Sequence, residues 1–360
     1  MIHNSTRLEL SQSELSGLLS PLAFSHMGVA PLDEALSLQF YKNWLSEGLH
    51  GSMEYLQRHV PQKENPELLL ANAQSAFVFA FPYAPHPESE GYPFEASRVS
   101  LYARGKDYHL WIRERLKKGI EILREKFPDA GFACFTDSSP VLERDLAYRA
   151  GLGWFGKNAC LIHPQKGSLF FIGEIYSTLK IADKTTPVHD FCGTCTRCLD
   201  ACPTQAFIEP RKLDATKCIS YWTIESKEVP PSPLRENIGD WLFGCDICQT
   251  VCPWNQKAFK NEKSILDERS LNFYDDSARR KKLIAELSKV LNTSNRELRT
   301  WLGQTALSRS AGTKLKKNAL VVAGNLGLTE LRVDIENYKT HEDLSELALW
   351  ALNKLESRAD

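Results

Sequence analysis

No stretch of this 360-residue sequence approaches the roughly 20 consecutive apolar residues that a membrane span needs. The opening residues, MIHNSTRLELSQSELSG, lack the basic start and apolar core of a secretory leader. Neither sign of charge dominates: the formal net charge is -1, so overall charge implies no partner. These absences lead to the expectation of a cytoplasmic protein that touches no membrane. Structural disulfides are rare in that compartment. Ten cysteines therefore call for metal ligation or catalysis. A content of 42% hydrophobic and 25% charged residues suits a globular chain, here long enough for a large domain and one or two smaller ones.

Residues 1 to about 75 read as helical, with apolar residues at helical spacing in LDEALSLQFYKNWLSEGLHGSMEYL and punctuation at Gly48 and Gly51. SAFVFAFPYAP (75–85) reads as a buried strand ending at prolines. Residues 107–127 form the clearest amphipathic helix, and GFACFTD (131–137) reads as the next strand. Ser139 reads as an N-cap, with Pro140 at the first helical position and Glu143 in the early turns. Two strand-like runs flank a turn at HPQKG between 160 and 179. The alternation over 70–180 suggests an α/β or α+β domain. Beyond Pro253 the chain is helical, in short helices that look like stacked pairs without a strict repeat. The expected division is 1–180, 181–260 and 261–360.

The segment 190–255 has little room for an apolar core of its own, and such segments fold around metal. Cys192, Cys195, Cys198 and Cys202, followed by Pro203, spell the C-x2-C-x2-C-x3-C-P run of bacterial ferredoxins, whose fourth cysteine serves the other cluster. Cys245, Cys248 and Cys252, followed by Pro253, form a second run that lacks its first cysteine; Cys218 can supply the missing ligand through a loop. The implied pairing is crossed. One [4Fe-4S] cluster takes Cys192, Cys195, Cys198 and Cys252, and the other takes Cys202, Cys218, Cys245 and Cys248. Zinc is the alternative, but it prefers paired C-x2-C knuckles. Cys134 and Cys160 are left over and read as small buried hydrophobes.

EGLHGSMEYL (47–56), ARGKDYH (103–109), TDSSPVLERDLAYRAGLGWFGKN (136–158), CISYWTIE (218–225) and WLFGCDICQTVCPWN (241–255), with the cysteine runs, resemble the epoxyqueuosine reductase family across nearly the whole chain. The resemblance implies an oxidoreductase of tRNA modification that carries out the last step of queuosine biosynthesis. It removes the epoxide oxygen of epoxyqueuosine in tRNA, using cobalamin and two [4Fe-4S] clusters. It also implies a reductive-dehalogenase-like cobalamin domain, a ferredoxin-like domain and C-terminal α-helical HEAT-like repeats that hold the tRNA. Deoxygenation consumes two electrons and two protons, so a protein acid must protonate the oxygen. Position alone leaves Asp137 either an ordinary turn aspartate or a site residue at a strand end; the family motif makes it the proton donor. Such an acid is expected to have its pKa raised by burial. The cobalamin contacts carried over are Arg58, Tyr102, Asp137, Asn158, Leu161, His163, Ile172, Ser220, Glu225 and Asp246, several of them through the main chain. His163 taken alone reads as a turn residue before Pro164. No D-x-H-x-x-G motif offers cobalt a histidine; Asp107-Tyr108-His109 continues as Leu-Trp-Ile and fails it.

Charge is uneven near the C-terminus. Residues 277–317 carry eleven Lys or Arg against Glu286 and Glu297, whereas residues 328–360 carry eight acidic against four basic. A basic patch of this kind is either a solvated face or a contact for tRNA phosphates. The expected partners are the anticodon stem-loop of tRNA and a reductant protein of unread identity, with the chain itself a monomer. A reductive dehalogenase would carry a twin-arginine export signal and no basic helical region. A mere electron-transfer subunit would need no Asp137 motif.

Overall fold

The computed structural model describes residues 10–82, 92–180, 185–260 and 277–357. The end of the 75–85 run, the opening of the 261–360 segment and Asp360 lie outside the described residues.

SAFVFAFP alternates large and small side chains, and that alternation shapes the main sheet. The run is β2 (Ser75–Pro82), paired between β1 (His26–Pro31) and β4 (Phe170–Ser177), with β3 (Phe132–Thr136) outside β4. Phe77, Phe79 and Phe81 share one face with Ile175. There they pack with Ile112, Leu116 and Leu123 of α1 (Tyr108–Lys126). Each fully buried side chain of this size contributes roughly 1.5–3 kcal/mol. Ala76, Val78 and Ala80 share the other face, with Leu146 and Ala147 of α2 (Glu143–Arg149). The small side chains let α2 lie close: a Cβ at Gly28 of β1 would stand 1.9 Å from the Ala150 carbonyl oxygen.

Three expectations are corrected. All pairings in the four-stranded sheet are antiparallel, so the α/β alternative gives way to α+β. The segment before residue 75 is not wholly helical, because HMGVAP is β1; its small apolar residues carry no periodic signal in a run this short. Ser139 does not cap a helix. Its hydroxyl bonds back to the Thr136 carbonyl, and α2 starts at Glu143 with Leu142 at the cap.

The cysteine segment is bound into this framework rather than appended to it. Its strand Trp241–Phe243 pairs in parallel with Arg98–Val99. The same apolar core continues from the sheet through Leu242 and Phe243 to the C-terminal helices, of which α3 (Thr313–Leu326) is central. Lys317 of α3 is buried and donates to the carbonyls of Trp222, Ser226 and Glu228. Asn318 donates to Thr223 and Leu242, and Lys314 and Ser310 donate to Ile224. The C-terminal helices therefore grip the loop that follows Cys218. Lys317 is removed from the basic patch expected for tRNA, which is thinner than the sequence suggests.

Replacing Lys317 by Met should destabilise the protein by about 2–3 kcal/mol, since three carbonyls lose their donor. Denaturant titration followed by tryptophan fluorescence, with Trp222 in the affected loop, reads this loss.

Candidate functional site

Strand β3 ends at Thr136, and Asp137 follows with φ at +40°, a left-handed conformation uncommon for a residue with a side chain. The turn delivers the carboxyl to the N-terminus of α1. There Asp137 Oδ2 accepts from the Tyr108 hydroxyl at 2.7 Å and lies 2.7 Å from His109 Nε2. His109 Nδ1 lies 2.6 Å from Asp107 Oδ1, and the same Asp107 oxygen caps the helix by accepting from the His109 N–H. With a carboxylate on each nitrogen, the imidazole donates at both as the cation. Arg309, from the C-terminal turn Ala306–Ser310, brings its guanidinium to 3.8 Å from Asp137 Oδ2.

These partners reverse the expected acidity of Asp137. Burial alone would raise its pKa. The bonds from His109 and Tyr108, and the charges of His109 and Arg309, outweigh burial and hold it below the ordinary range. Burial opposes the charged form of His109, yet its bonds to Asp107 and Asp137 raise its pKa above the ordinary value. The proton expected on Asp137 thus rests on its neighbour. Behind Asp137, the Glu143 carboxyl accepts the Asp137 N–H at 3.2 Å, and burial, aided by the charge of Asp137, pushes it up to about 7. Glu174 of β4 is wholly buried with neither carboxyl oxygen hydrogen-bonded, and burial followed by Glu143 drives its pKa well up.

The residues carried over for cobalamin divide into groups. Asp137 and Arg309 both act on the ionisation of Tyr102 and of Glu225, which places these four groups in one neighbourhood. Tyr55, which the sequence reading missed, belongs to the same neighbourhood. It shares the short helix Tyr55–Arg58 with the exposed Arg58. This ring of hydroxyls, carboxyls and guanidinium groups fits a large cofactor that carries amides and a phosphate. Asp246 is buried and directs its carboxylate at Ser100 Oγ and the Leu101 N–H, so it fixes the turn that carries Tyr102. Asn158 is buried and donates to the Cys248 carbonyl. The Leu161 and Ile172 side chains lie in the core under α2, leaving their main chains for contact. His163 is a turn residue: its Nδ1 accepts from the Gln165 and Lys166 N–H groups, and its ring lies against His26. Ser220 precedes the helical turn Tyr221–Glu225 and bonds the Cys218 thiol.

The eight cysteines gather as two sets. A cavity of about 290 Å³ is lined by Cys192, Cys195, Cys198 and Cys252, with Ile162, Phe191 and Trp254 as apolar wall. Burial, then the neighbouring thiols Cys252, Cys192 and Cys195, pushes Cys198 up to about 11. In the other set, burial and then Cys218 and Cys202 raise Cys245, while Cys245 and Cys218 act on Cys248. The Trp154 indole N–H points at the Cys192 sulfur at 3.4 Å, and the Ala206 N–H at the Cys202 sulfur at 3.3 Å, donors of the kind that stabilise cluster-bound thiolates. Among the described residues no three Cys, His, Asp or Glu side chains converge on a point the size of one ion. Cys160 lies between the two sets, close enough to influence both, and Cys134 packs half-buried beside the main core.

Two sets of four thiols suited to iron–sulfur clusters, in one chain with a hydrogen-bonded Asp–His pair able to supply protons, define the class as an iron–sulfur oxidoreductase. The descriptions that match the chain are "4Fe-4S double cluster binding domain" over residues 191–255 and "Epoxyqueuosine reductase QueG, DUF1730" over residues 63–138. An epoxyqueuosine reductase of Xanthomonas campestris pv. campestris is 35% identical over 91% of this chain and 92% of its own length. One of Synechocystis sp. is 36% identical over 81% of this chain and 98% of its own length. A solved epoxyqueuosine reductase with a tRNA-Tyr epoxyqueuosine-modified stem loop superposes with a TM-score of 0.76 at 26% identity, covering 96% of this chain and 90% of that one. The chain belongs to the epoxyqueuosine reductase family.

The sequence reading also missed Asp107 and His109, which it tested only as a cobalt-ligand motif. Glu174→Leu should stabilise the fold by about 1–3 kcal/mol by removing an unpartnered buried carboxyl. A carboxyl whose pKa is raised on folding binds its proton more tightly in the folded state. Its cost therefore grows as pH climbs from the ordinary carboxyl range towards the folded value. The gain in Tm should be larger at pH 8 than at pH 5.

Proposed function

We propose that this chain removes the epoxide oxygen of epoxyqueuosine in tRNA, with Asp137 as the immediate proton donor to that oxygen. The observation that carries this reading is a carboxyl set on a left-handed turn at a strand end, hydrogen-bonded by His109 and Tyr108 and beside the loops that hold the thiols. The solved relative with a modified tRNA stem loop supports tRNA as the substrate.

One [4Fe-4S] cluster is assigned to Cys192, Cys195, Cys198 and Cys252, and the other to Cys202, Cys218, Cys245 and Cys248. Cobalamin, the further cofactor, supplies when bound the reducing chemistry at the carbon that loses oxygen. Arg58, Tyr102, Ser220 and Glu225 would hold it, and Asn158, Leu161, His163 and Ile172 largely through the main chain. Asp246 acts by fixing the turn before Tyr102. Residues 1–180 form the cofactor domain in this reading, 181–260 the cluster domain and 261–360 a HEAT-like helical region that holds tRNA. Exposed Arg296, Arg299 and Arg309 offer the phosphate contacts, with Arg309 already at the acid. The protein works as a monomer fed by a separate reductant protein.

Two measurements test this reading. Asp137→Asn should retain iron and cobalamin yet lose roughly 10²–10⁴-fold in conversion of epoxyqueuosine-containing tRNA; full activity would remove Asp137 from the reaction. Cys218→Ala should lose about half of the iron and labile sulfide, as loss of one of two clusters requires. Undiminished iron would show that Cys218 is no ligand.

A further inference from the structure

We propose that His109 is the proton store of the reaction, recharging Asp137 across the 2.7 Å contact between Nε2 and Oδ2 while Asp107 holds the other ring nitrogen. The proposal rests on Asp137 being the immediate donor, and it assigns a separate role to a residue that does not itself touch the oxygen.

The argument begins with proton number. Expelling an epoxide oxygen as water takes two electrons and two protons. The electrons arrive singly through the clusters from an external one-electron reductant. Asp137 can hold one proton at a time, and in this structure its surroundings favour the carboxylate. A bound substrate would also cover the open side of Asp137, whose side chain is 45% exposed. The first proton must then reach it from the protein side. The group hydrogen-bonded there is a buried imidazole, 6% exposed, whose two nitrogens both face carboxylates.

The transfers balance as follows. Nε2 of the imidazolium gives its proton to the Asp137 carboxylate, leaving His109 neutral with its remaining proton on Nδ1 towards Asp107. Asp137, now a neutral acid, protonates the oxygen as the first C–O bond breaks. The second proton comes from solvent once the first C–O bond has broken, and the Asp137 carboxyl, 45% exposed, delivers it. The second C–O bond then breaks, and the hydroxyl leaves as water with this second proton. Three charged groups face His109: Asp107 at the helix N-cap, Asp137 from the end of β3, and Arg309 from the C-terminal turn. Arg309 opposes the imidazolium, and the two carboxylates outweigh it. The Tyr108 ring lies against the imidazole with centroids 4.0 Å apart, and its hydroxyl steadies the receiving oxygen. The Asp107 main chain is itself anchored, its N–H donating to the Gln304 carbonyl of the C-terminal region at 2.8 Å.

The test compares His109→Gln, Asp107→Asn and Asp137→Asn, each loaded with clusters and cobalamin. Single-turnover rates are measured from pH 5 to 9, alongside NMR of ¹³C-labelled histidine in the oxidised protein. A stored proton is present below the raised His109 pKa and lost above it, so the wild-type rate should fall as pH rises through that value. His109→Gln should be about 10²-fold slower at pH 8 and recover towards pH 5, its descending limb moving down by about one unit or more. The His109 resonance, identified by its loss in His109→Gln, should titrate above the ordinary imidazole value of about 6.5 and move down in both Asn variants. Should His109→Gln fail to fold, Asp107→Asn carries the test, because it leaves the contact with Asp137 in place; its rate limb should fall with the NMR titration. An unchanged pH profile in the folded variants, with Asp137→Asn inactive, would overturn the store alone. A fully active Asp137→Asn would overturn the donor reading, and the store with it.

Discussion

The thiol-rich segment has no apolar core of its own: it lends Ile219, Trp222, Leu242 and Phe243 to the main core, and elsewhere polar side chains reach in from outside to fix it. Asn158 holds the Cys248 carbonyl, and Trp154 points its indole at Cys192. Asn255, wholly buried, ties the end of the second cysteine run to Ser168 and Gln249. Trp44, from a helix far back in the chain, donates to the Leu213 carbonyl. Lys317 and Asn318 close the other side. The segment is gripped by its main chain, which leaves its sulfurs unencumbered for iron. A buried main-chain carbonyl is a fixed and strong acceptor, and one buried amide or ammonium satisfies two or three of them.

The same economy of fixed partners sets the acid. An isolated buried carboxyl keeps its proton, as Glu174 illustrates: no donor reaches it, and burial raises its pKa. Asp137, two residues beyond the Phe135 that pairs with Glu174, goes the opposite way, because two donors and a guanidinium meet its carboxylate. Hydrogen bonds to the charged form win over desolvation here. Asp137 therefore cannot be understood as an acid without the imidazole beside it.

The clearest parts of the sequence reading were those set by spacing or by helical periodicity. The amphipathic stretch became α1 within a residue at each end, with Asp107 as its cap. The two cysteine runs marked the segment that matches a 4Fe-4S double cluster binding domain, residues 191–255. What stayed hidden depends on tertiary placement. Whether β2 pairs with parallel or antiparallel neighbours is not written in SAFVFAFP. Asp107 and His109 looked like a failed motif, because the partner that gives them meaning is 28 positions further along. The acidity of Asp137 was read with the wrong sign for the same reason: burial is legible in a sequence, but the donors that overrule it are not. Lys317 was counted as surface charge in a basic run, and only the carbonyls of a loop 90 residues earlier explain its burial.

Arg309 joins these two themes. It comes from the C-terminal turn, one residue from Ser310, which bonds the Ile224 carbonyl, and it stands at the Asp137 carboxylate. Lys314, in the first turn of α3, bonds the same carbonyl and partly offsets the burial that raises the pKa of Glu225. The region proposed to hold tRNA thus reaches the acid through space and the loop after Cys218 through the main chain. A phosphate that drew Arg309 away would remove one of the charges that keep Asp137 ionised, and the carboxyl would gain proton affinity when substrate is seated. Coulomb interaction at such separations is strong where water is excluded and weak where it is not. Movement of that one guanidinium would therefore favour the neutral acid that the chemistry requires.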